Sequence, residues 1–146
     1  MTQRVALRSL HYSLLLLLGA AAGCKAVVEP GTRRVIGVIE SGTGVQPLLL
    51  PDTVAAGASF AVTVTAFGGA CDQDDGTDVT TTGLIADVTP YVLLPPPETI
   101  CIAVLRASPR SVALTFATPG TGVVRLHGRR FDGTPVTIAG SLVVRP

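Results

Sequence analysis

Residues 60–67, FAVTVTAF, decide the fold class of this chain. Successive side chains of a β-strand point to opposite faces of a sheet, and valine and threonine favour that conformation. The alternation of these residues therefore predicts a half-buried strand. One face carries Phe60, Val62, Val64 and Ala66, and the other carries Ala61, Thr63, Thr65 and Phe67.

On either side of this strand, short runs of valine, threonine, isoleucine and leucine are separated by glycine and proline. We find no convincing helical pattern. Pro90 interrupts one run, so it is expected at a sheet edge, a bulge or a break. Spacings near ten residues favour an all-β, two-sheet sandwich of about seven to nine short antiparallel strands. The other predicted strands span residues 35–40, 45–50, 84–94, 99–106, 111–117, 122–128 and 135–144.

Two segments beside predicted strands resemble parts of bacterial Ig-like domains. They are PDTVAAG at residues 51–57 and TFATPGTG at residues 115–122, the latter followed by VVRL. The resemblance covers about half of the chain after residue 23 and implies an Ig-like β-sandwich over residues 35–146. Antibody-type domains join two central strands by a disulfide beside a buried tryptophan. This chain has no tryptophan, so a bridge is expected to constrain an insertion instead.

The N-terminus has the order of an export signal, with Arg4 and Arg8, a short apolar run from Leu14, and then small residues. The run is shorter than the roughly 20 apolar residues that a membrane-spanning helix needs. Residues 21–24, AAGC, resemble the lipobox of bacterial lipoprotein signal peptides. The resemblance implies a signal peptide over residues 1–23, a diacylglycerol on the Cys24 thiol, and a lipidated tether over residues 24–34.

Ala21 stands where lipoboxes usually have leucine, so cleavage after Ala22 and plain secretion is an alternative. A buried apolar helix at the N-terminus is a third interpretation. Lys25, in place of aspartate, fits the outer-membrane sorting pattern of enteric-type lipoproteins. The expected location is therefore the bacterial cell envelope, with a lipid anchor in the outer membrane. A secreted or periplasmic location is the alternative.

The cysteine count supports the lipid interpretation, because three thiols in an exported chain leave one over. If Cys24 carries lipid, Cys71 and Cys101 are expected to pair in an oxidising compartment. A bridge closing a loop of this size contributes about 3.5 kcal/mol on the chain-entropy model. Two buried free thiols are the alternative.

Composition indicates one globular domain without a strong electrostatic field. Removal of residues 1–23 takes away Arg4 and Arg8 and leaves nine basic against ten acidic side chains. Such a balance gives no support for a nucleic-acid partner. The absence of tryptophan and the presence of only two tyrosines also weigh against an aromatic carbohydrate-binding platform.

An acidic segment, residues 72–78 (DQDDGTD), is a candidate cation site. Its carboxylates are the hard oxygen ligands that calcium prefers. The glycine is fifth where an EF-hand has it sixth, and no glutamate follows at position twelve. We therefore interpret the segment as a solvated turn beside the disulfide, with an irregular calcium site as the alternative. The four carboxylates belong to Asp72, Asp74, Asp75 and Asp78.

A late strand carries a basic stripe of Arg125, His127, Arg129 and Arg130. Val124 and Leu126 would face the core, which places Arg125 and His127 in solvent. The stripe is either a solvated face or a surface for an acidic partner, an anionic glycan or lipid headgroups. The chain has no Gly-x-Ser-x-Gly elbow, so we assign no catalytic residue and no cofactor.

These patterns predict a non-catalytic envelope lipoprotein that is held in the membrane by lipid on Cys24 and presents an Ig-like domain to a protein or glycan. The alternative is a structural subunit of a larger cell-envelope assembly. A hydrolase that uses His127 is a third hypothesis. No nucleic-acid partner and no metal cofactor are expected.

Overall fold

The computed structural model describes residues 30–40 and 44–146. Within this part of the chain the regular structure is entirely β, as the alternation patterns predicted. The nine strands are β1 (Arg33–Ile36), β2 (Leu48–Leu49), β3 (Thr53–Ala55), β4 (Ser59–Gly68), β5 (Gln73–Thr82), β6 (Ile85–Leu94), β7 (Arg106–Thr115), β8 (Gly120–Arg129) and β9 (Pro135–Arg145).

The strands form two sheets. The larger has the order β1-β6-β8-β9-β3, with β5 on the other edge of β6, and the smaller has the order β2-β4-β7. Two pairs, β6 with β8 and β3 with β9, are parallel, so the expectation of antiparallel strands alone was wrong. The chain leaves the larger sheet after β6, runs through β7 in the smaller sheet, and returns as β8 in its earlier direction.

The larger sheet curls until it meets the smaller one at Val38. This residue bridges Phe67 at the end of β4 and Arg129 at the end of β8. Its carbonyl accepts a hydrogen bond from Phe67 N at 2.8 Å, and Ile39 N donates to the Arg129 carbonyl at 2.9 Å. The result is a curled, half-barrel arrangement of mixed strands and departs from a clear Ig-like sandwich.

The core lies between the facing sheets and is built by the inward residues of the alternating strands. Phe60 is half-buried with its ring centroid 5.6 Å from that of Phe116. The predicted inward positions Val124 and Leu126 are fully buried. The central cluster comprises Ile39, Val62, Val64, Ala86, Val88, Val112, Leu114, Phe116, Val124, Leu126, Leu142 and Val144.

Pro90 lies within β6 at a break in the pairing on one edge. On that edge β8 pairs as far as Val88, and β1 pairs from Tyr91 onward, with its last residue, Ile36, opposite Tyr91. The Pro90 carbonyl accepts a hydrogen bond from Gly37 N at 2.8 Å. On the other edge, Pro90 pairs with Thr77 beside a bulge in β5. The missing N–H of proline is therefore tolerated inside a sheet.

Two predicted segments were wrong. Residues 72–78 were expected to form a turn, but Gln73–Thr82 is strand β5, which pairs along β6. Residues 99–106 were expected to form a strand, but the regular structure of β7 begins only at Arg106. The polar segment has a neighbouring strand edge to pair with, whereas the apolar segment is held through Cys101 away from a sheet edge.

Candidate functional site

The disulfide and two of the connecting segments lie outside the core, at one end of the domain. We call it the disulfide end; it comprises residues 68–73 between β4 and β5, residues 95–105 between β6 and β7, and the start of β1. The predicted bridge between Cys71 and Cys101 is present here, with a Cα–Cα distance of 5.9 Å. It joins two connecting segments and leaves Cys24 as the remaining cysteine of the sequence.

Residues 99–105, which we call the apolar loop, project from the disulfide end. Ile100 is 98% exposed and Ile102 is 74% exposed. Val104 and Leu105 are also large apolar side chains about half in solvent. Four such residues within six positions form a concentrated apolar patch, which on a soluble protein surface marks an interaction site.

The N-terminal chain joins the domain beside this loop. A Cβ atom built on Gly31 would lie 3.4 Å from Cβ of Pro96. Pro96 begins a turn in which its carbonyl accepts a hydrogen bond from Thr99 N at 3.0 Å. Strand β1 then starts with Arg33 opposite Leu94. Residues 31–33 and the turn that precedes the apolar loop therefore lie at the same end of the protein.

Carboxylates of the acidic segment are paired with arginine side chains that the sequence did not single out. Asp75 accepts a hydrogen bond from Arg34 Nε, and Arg34 Nη2 lies 3.6 Å from Asp78 Oδ1. The Arg34 guanidinium also stacks over Tyr91 at 3.5 Å from the ring centroid. The hydrogen bond to Asp75 raises the pKa of Arg34 above its usual value.

Two other carboxylates of the segment point elsewhere. Asp74 Oδ2 lies 2.9 Å from Arg110 Nε on β7, and Asp72 Oδ2 accepts a hydrogen bond from Gly69 N at 2.8 Å. Asp74 Oδ1 also accepts a hydrogen bond from Gly76 N at 2.9 Å, so the four carboxylates bind separate partners rather than one centre. Among residues 30–40 and 44–146, no three His, Cys, Asp or Glu side chains are grouped to hold a metal ion.

The predicted basic stripe lies on the outer face of the larger sheet and is partly neutralised there. Asp87 accepts hydrogen bonds from Arg125, and His127 Nε2 lies 2.6 Å from Asp87 Oδ1. These contacts, Arg125 first and His127 second, lower the pKa of Asp87. Arg129 Nε donates to the Ile36 carbonyl at 2.8 Å, so the stripe is not a row of identical solvated cations.

Arg130, the last residue of that stripe, lines a cavity of about 260 Å³. The other lining residues are Ile39, Glu40, Val136 and Ile138. Glu40 Oε2 accepts a hydrogen bond from Phe131 N at 3.1 Å. The cavity is therefore lined by one basic, one acidic and three aliphatic side chains.

Sequence reasoning missed Arg34, Arg110 and Asp87, which anchor these ion pairs. Asp87 is the polar residue between two fully buried ones, Ala86 and Val88, so the alternation of β6 could have shown that it faces outward. The alternation pattern could not identify Arg125 as the partner of Asp87. The two residues are brought together by the parallel register of β6 and β8, which the sequence does not reveal.

The expected signal peptide over residues 1–23, the lipidation site Cys24 and most of the tether over residues 24–34 lie outside the described residues. In the part of the chain that the structure describes, no helix has the length and apolar character needed to cross a membrane. Comparison of the chain with protein-family models, with curated proteins and with solved structures finds no match.

Proposed function

We propose that this protein is a non-catalytic lipoprotein of the bacterial cell envelope, held in the outer membrane by lipid on Cys24. The Cys71–Cys101 bridge is the observation that carries the proposal. A bridge of this kind is typical of an exported chain. It also uses two of the three cysteines, so an odd thiol remains inside a sequence that resembles a lipobox. Lipidation gives that thiol a role.

The position of the N-terminal chain supports the same proposal. Gly31 contacts the disulfide end through Pro96, so a tether from Cys24 would hold this end toward the membrane. Residues 25–30 contain lysine, glutamate and proline and lack a sustained apolar period. Two or more acyl chains give stable anchoring, because each buried methylene contributes about 0.8 kcal/mol.

The β domain is proposed to present a binding surface to a protein or glycan of the envelope. On the outer face of the larger sheet, Asp87 binds Arg125 and His127, and His127 Nδ1 lies 3.1 Å from Thr137 Oγ1, so these side chains form a polar network that such a partner could contact. We further propose that the domain is a divergent Ig-like fold. Its two facing sheets share one core, and the two segments that resemble Ig-like domains lead into β4 and β8.

A structural subunit of a larger envelope assembly is the second candidate. The exposure of Ile100 and Ile102 favours it, because a permanent neighbour would bury such side chains. Gel filtration of the detergent-extracted protein separates the two candidates. A binding module elutes as a small, stable particle, whereas an obligate subunit elutes in a large complex or unfolds when it is alone.

Phase partition and mass spectrometry of the full chain, expressed in a bacterium that processes lipoproteins, test the anchor. The mature protein is expected to begin at a Cys24 that carries acyl chains and to enter the detergent phase. Cys24→Ala should remain in the aqueous phase or keep its signal peptide. The matched control is Cys71→Ser with Cys101→Ser, which removes the other two thiols and should leave lipidation unchanged. An unmodified mature protein that begins after Ala22 would overturn the proposal.

A pull-down of the native lipoprotein from its own membranes tests the binding role. A partner that depends on the stripe should be released by salt, because exposed charges are screened over about 10 Å at 0.1 M salt. Arg125→Gln should weaken its capture. Arg145→Gln, which removes an exposed arginine at the other end of the larger sheet, is the control. Recovery of the monomer alone would argue against a binding module.

A further inference from the structure

We propose that the apolar loop, residues 99–105, inserts into the interface of the same bilayer that holds the lipid on Cys24. The inference rests on the proposed lipid anchor and assigns a second membrane contact to it. The occupant of the apolar patch is thus a lipid surface, and the domain would sit on the membrane with its disulfide end down.

Distance along the chain supports this assignment. Cys24 and Gly31 are seven residues apart, so even a fully extended connection spans only about 25 Å. Gly31 in turn contacts Pro96, which stands shortly before Ile100. A lipid on Cys24 therefore keeps the loop within reach of the headgroup region.

The composition of the loop fits an interface. Ile100 and Ile102 are the most exposed large apolar side chains among the described residues, and Val104 and Leu105 extend the same patch. Interfacial elements bury apolar side chains about 5–10 Å into the boundary between headgroups and acyl chains. Burial of these four removes apolar surface that a tethered protein would otherwise leave in water.

The surroundings of the loop fit a membrane that need not be strongly anionic. Arg33 and Arg106 are exposed on either side of it, and Glu98 is exposed just before it. Polar side chains of both signs can contact zwitterionic headgroups while the apolar side chains enter beneath them. The Cys71–Cys101 bridge holds the middle of the loop, so a single projecting conformation can enter without losing much conformational freedom.

A tryptophan reporter tests the insertion, because the chain has no tryptophan of its own. Ile100→Trp places the reporter on a side chain that is fully exposed, so the fold should tolerate it. Ile85→Trp is the matched control at the opposite end of β6, about 30 Å away along the strand. Both full-length proteins are purified as processed lipoproteins and reconstituted in phosphatidylcholine vesicles with brominated acyl chains.

The reporter at residue 100 is expected to be quenched several-fold more strongly by bromolipid than the reporter at residue 85, and to be protected from aqueous acrylamide. Adding Ile102→Asp to the Ile100→Trp protein should reduce the bromolipid quenching while the melting temperature stays unchanged. Equal quenching of the two reporters overturns the inference. An emission that is blue-shifted yet unquenched by bromolipid means that protein covers the loop, and it also overturns the inference.

Flotation of the vesicles separates failure of the inference from failure of the anchor. Flotation that depends on Cys24, without quenching at residue 100, leaves the anchor standing and removes the insertion. Quenching at residue 100 in a wild-type protein whose mass shows no acyl chain on Cys24 supports the insertion and removes the lipid anchor. If the vesicles do not carry the protein on flotation and the reporter is not quenched, both the anchor and the insertion are ruled out.

Discussion

The carboxylate of Asp87 on β6 binds the guanidinium of Arg125 on β8 through two hydrogen bonds, from Nε to Oδ1 at 2.8 Å and from Nη2 to Oδ2 at 2.7 Å. The two residues are direct partners in the parallel register of these strands. The paired hydrogen bonds are specific in direction, so they favour this register over a shift by one residue.

Asp87→Asn is expected to lower the melting temperature by about 2 °C at pH 7, which is the scale of an exposed ion pair in a domain of this size. Hydrogen bonds from Arg125 and then His127 lower the pKa of Asp87 in the folded protein. A lowered folded pKa stabilises above the unfolded value of about 3.9, and that stabilisation is lost as the pH falls through the folded pKa.

The difference between wild type and Asp87→Asn should therefore be present at about pH 5, should begin to narrow near pH 4, and should close only as the pH falls through the lowered folded pKa. Circular dichroism melts over this range measure it. Asp52→Asn, which removes an exposed carboxylate outside this pair, is the control. A difference that does not narrow at all as the pH falls below about 4 would show that the charge of Asp87 is not its source.

Removal of the Cys71–Cys101 bridge by a double change to serine should destabilise the domain by about 3.5 kcal/mol, because the unfolded chain regains the freedom of the closed loop. Urea unfolding with and without reductant measures the loss. Reduced wild type and the double variant should unfold at the same urea concentration. If reductant destabilises the double variant as well, the effect does not come from this bridge.

Gly128→Ala should cost about 2 kcal/mol through overpacking. A Cβ atom at this position would overlap the fully buried Ile39 and would lie 3.0 Å from the Gly37 carbonyl oxygen. The Gly37 carbonyl belongs to the backbone and Ile39 belongs to the packed core, so neither can easily move away from the added methyl group. Adding Ile39→Val should recover part of the loss, so the double variant is more stable than the sum of the single effects predicts.

Gly140→Ala provides the matched comparison for Gly128→Ala. The nearest atom to its added Cβ is Cδ1 of the half-buried Leu50, at 2.6 Å, which is the end of a flexible side chain. Its cost in urea unfolding should therefore be smaller than that of Gly128→Ala. Equal costs would show that the approach of Ile39 and Gly37 has no special effect.

Asp74→Asn should destabilise the domain by about 1–2 kcal/mol, because it leaves the charge of Arg110 without its counterion. The Arg110 side chain is only 8% exposed, and burial lowers its pKa while Asp74 and Asp75 oppose that effect. Arg110 Nη1 also donates to the Gly76 carbonyl at 2.7 Å, which ties β7 to β5. Asp74 is itself half-exposed, so the loss stays below that of a fully buried pair.

A double-mutant cycle with Arg110→Met isolates this pair. Methionine fills the space without a charge, so Asp74→Asn should cost little in that background. Asp78→Asn, whose partner Arg34 is exposed and 3.6 Å away, should change the unfolding free energy by less than about 0.5 kcal/mol in wild type. Strict additivity of Asp74→Asn and Arg110→Met would exclude coupling between β5 and β7 through these side chains.

Two strands were predicted to within two residues at each end, whereas β7 begins five residues before the strand predicted at 111–117. Residues 60–67 lie within β4, and residues 122–128 lie within β8. Strand β5 could not be predicted, because none of its residues is buried and its main contact is backbone pairing with β6. The opposite error arose at residues 99–106, where apolar alternation is present but no neighbouring strand receives it.

Some contacts of the candidate site could also be predicted from the sequence, and others could not. Pairing of Cys71 with Cys101 was predicted from the odd number of thiols and an expected oxidising compartment, neither of which needs the strand order. The partners of Asp87, Asp75 and Asp74 were not predictable. Each ion pair joins residues more than 30 positions apart, and only the sheet topology brings them together.

The bridge at Val38 has a consequence for the order in which the chain assembles. Residues near Val38 are made early, yet Arg129, whose side chain binds the Ile36 carbonyl, comes 93 residues later. Under the proposed export, a chain that crosses a translocation channel N-terminus first would hold this segment without its β8 partner until nearly the whole domain has passed. Closure of the curled sheet is thus a late, long-range step, and a transport arrest before residue 129 would expose an open sheet edge to proteases and chaperones.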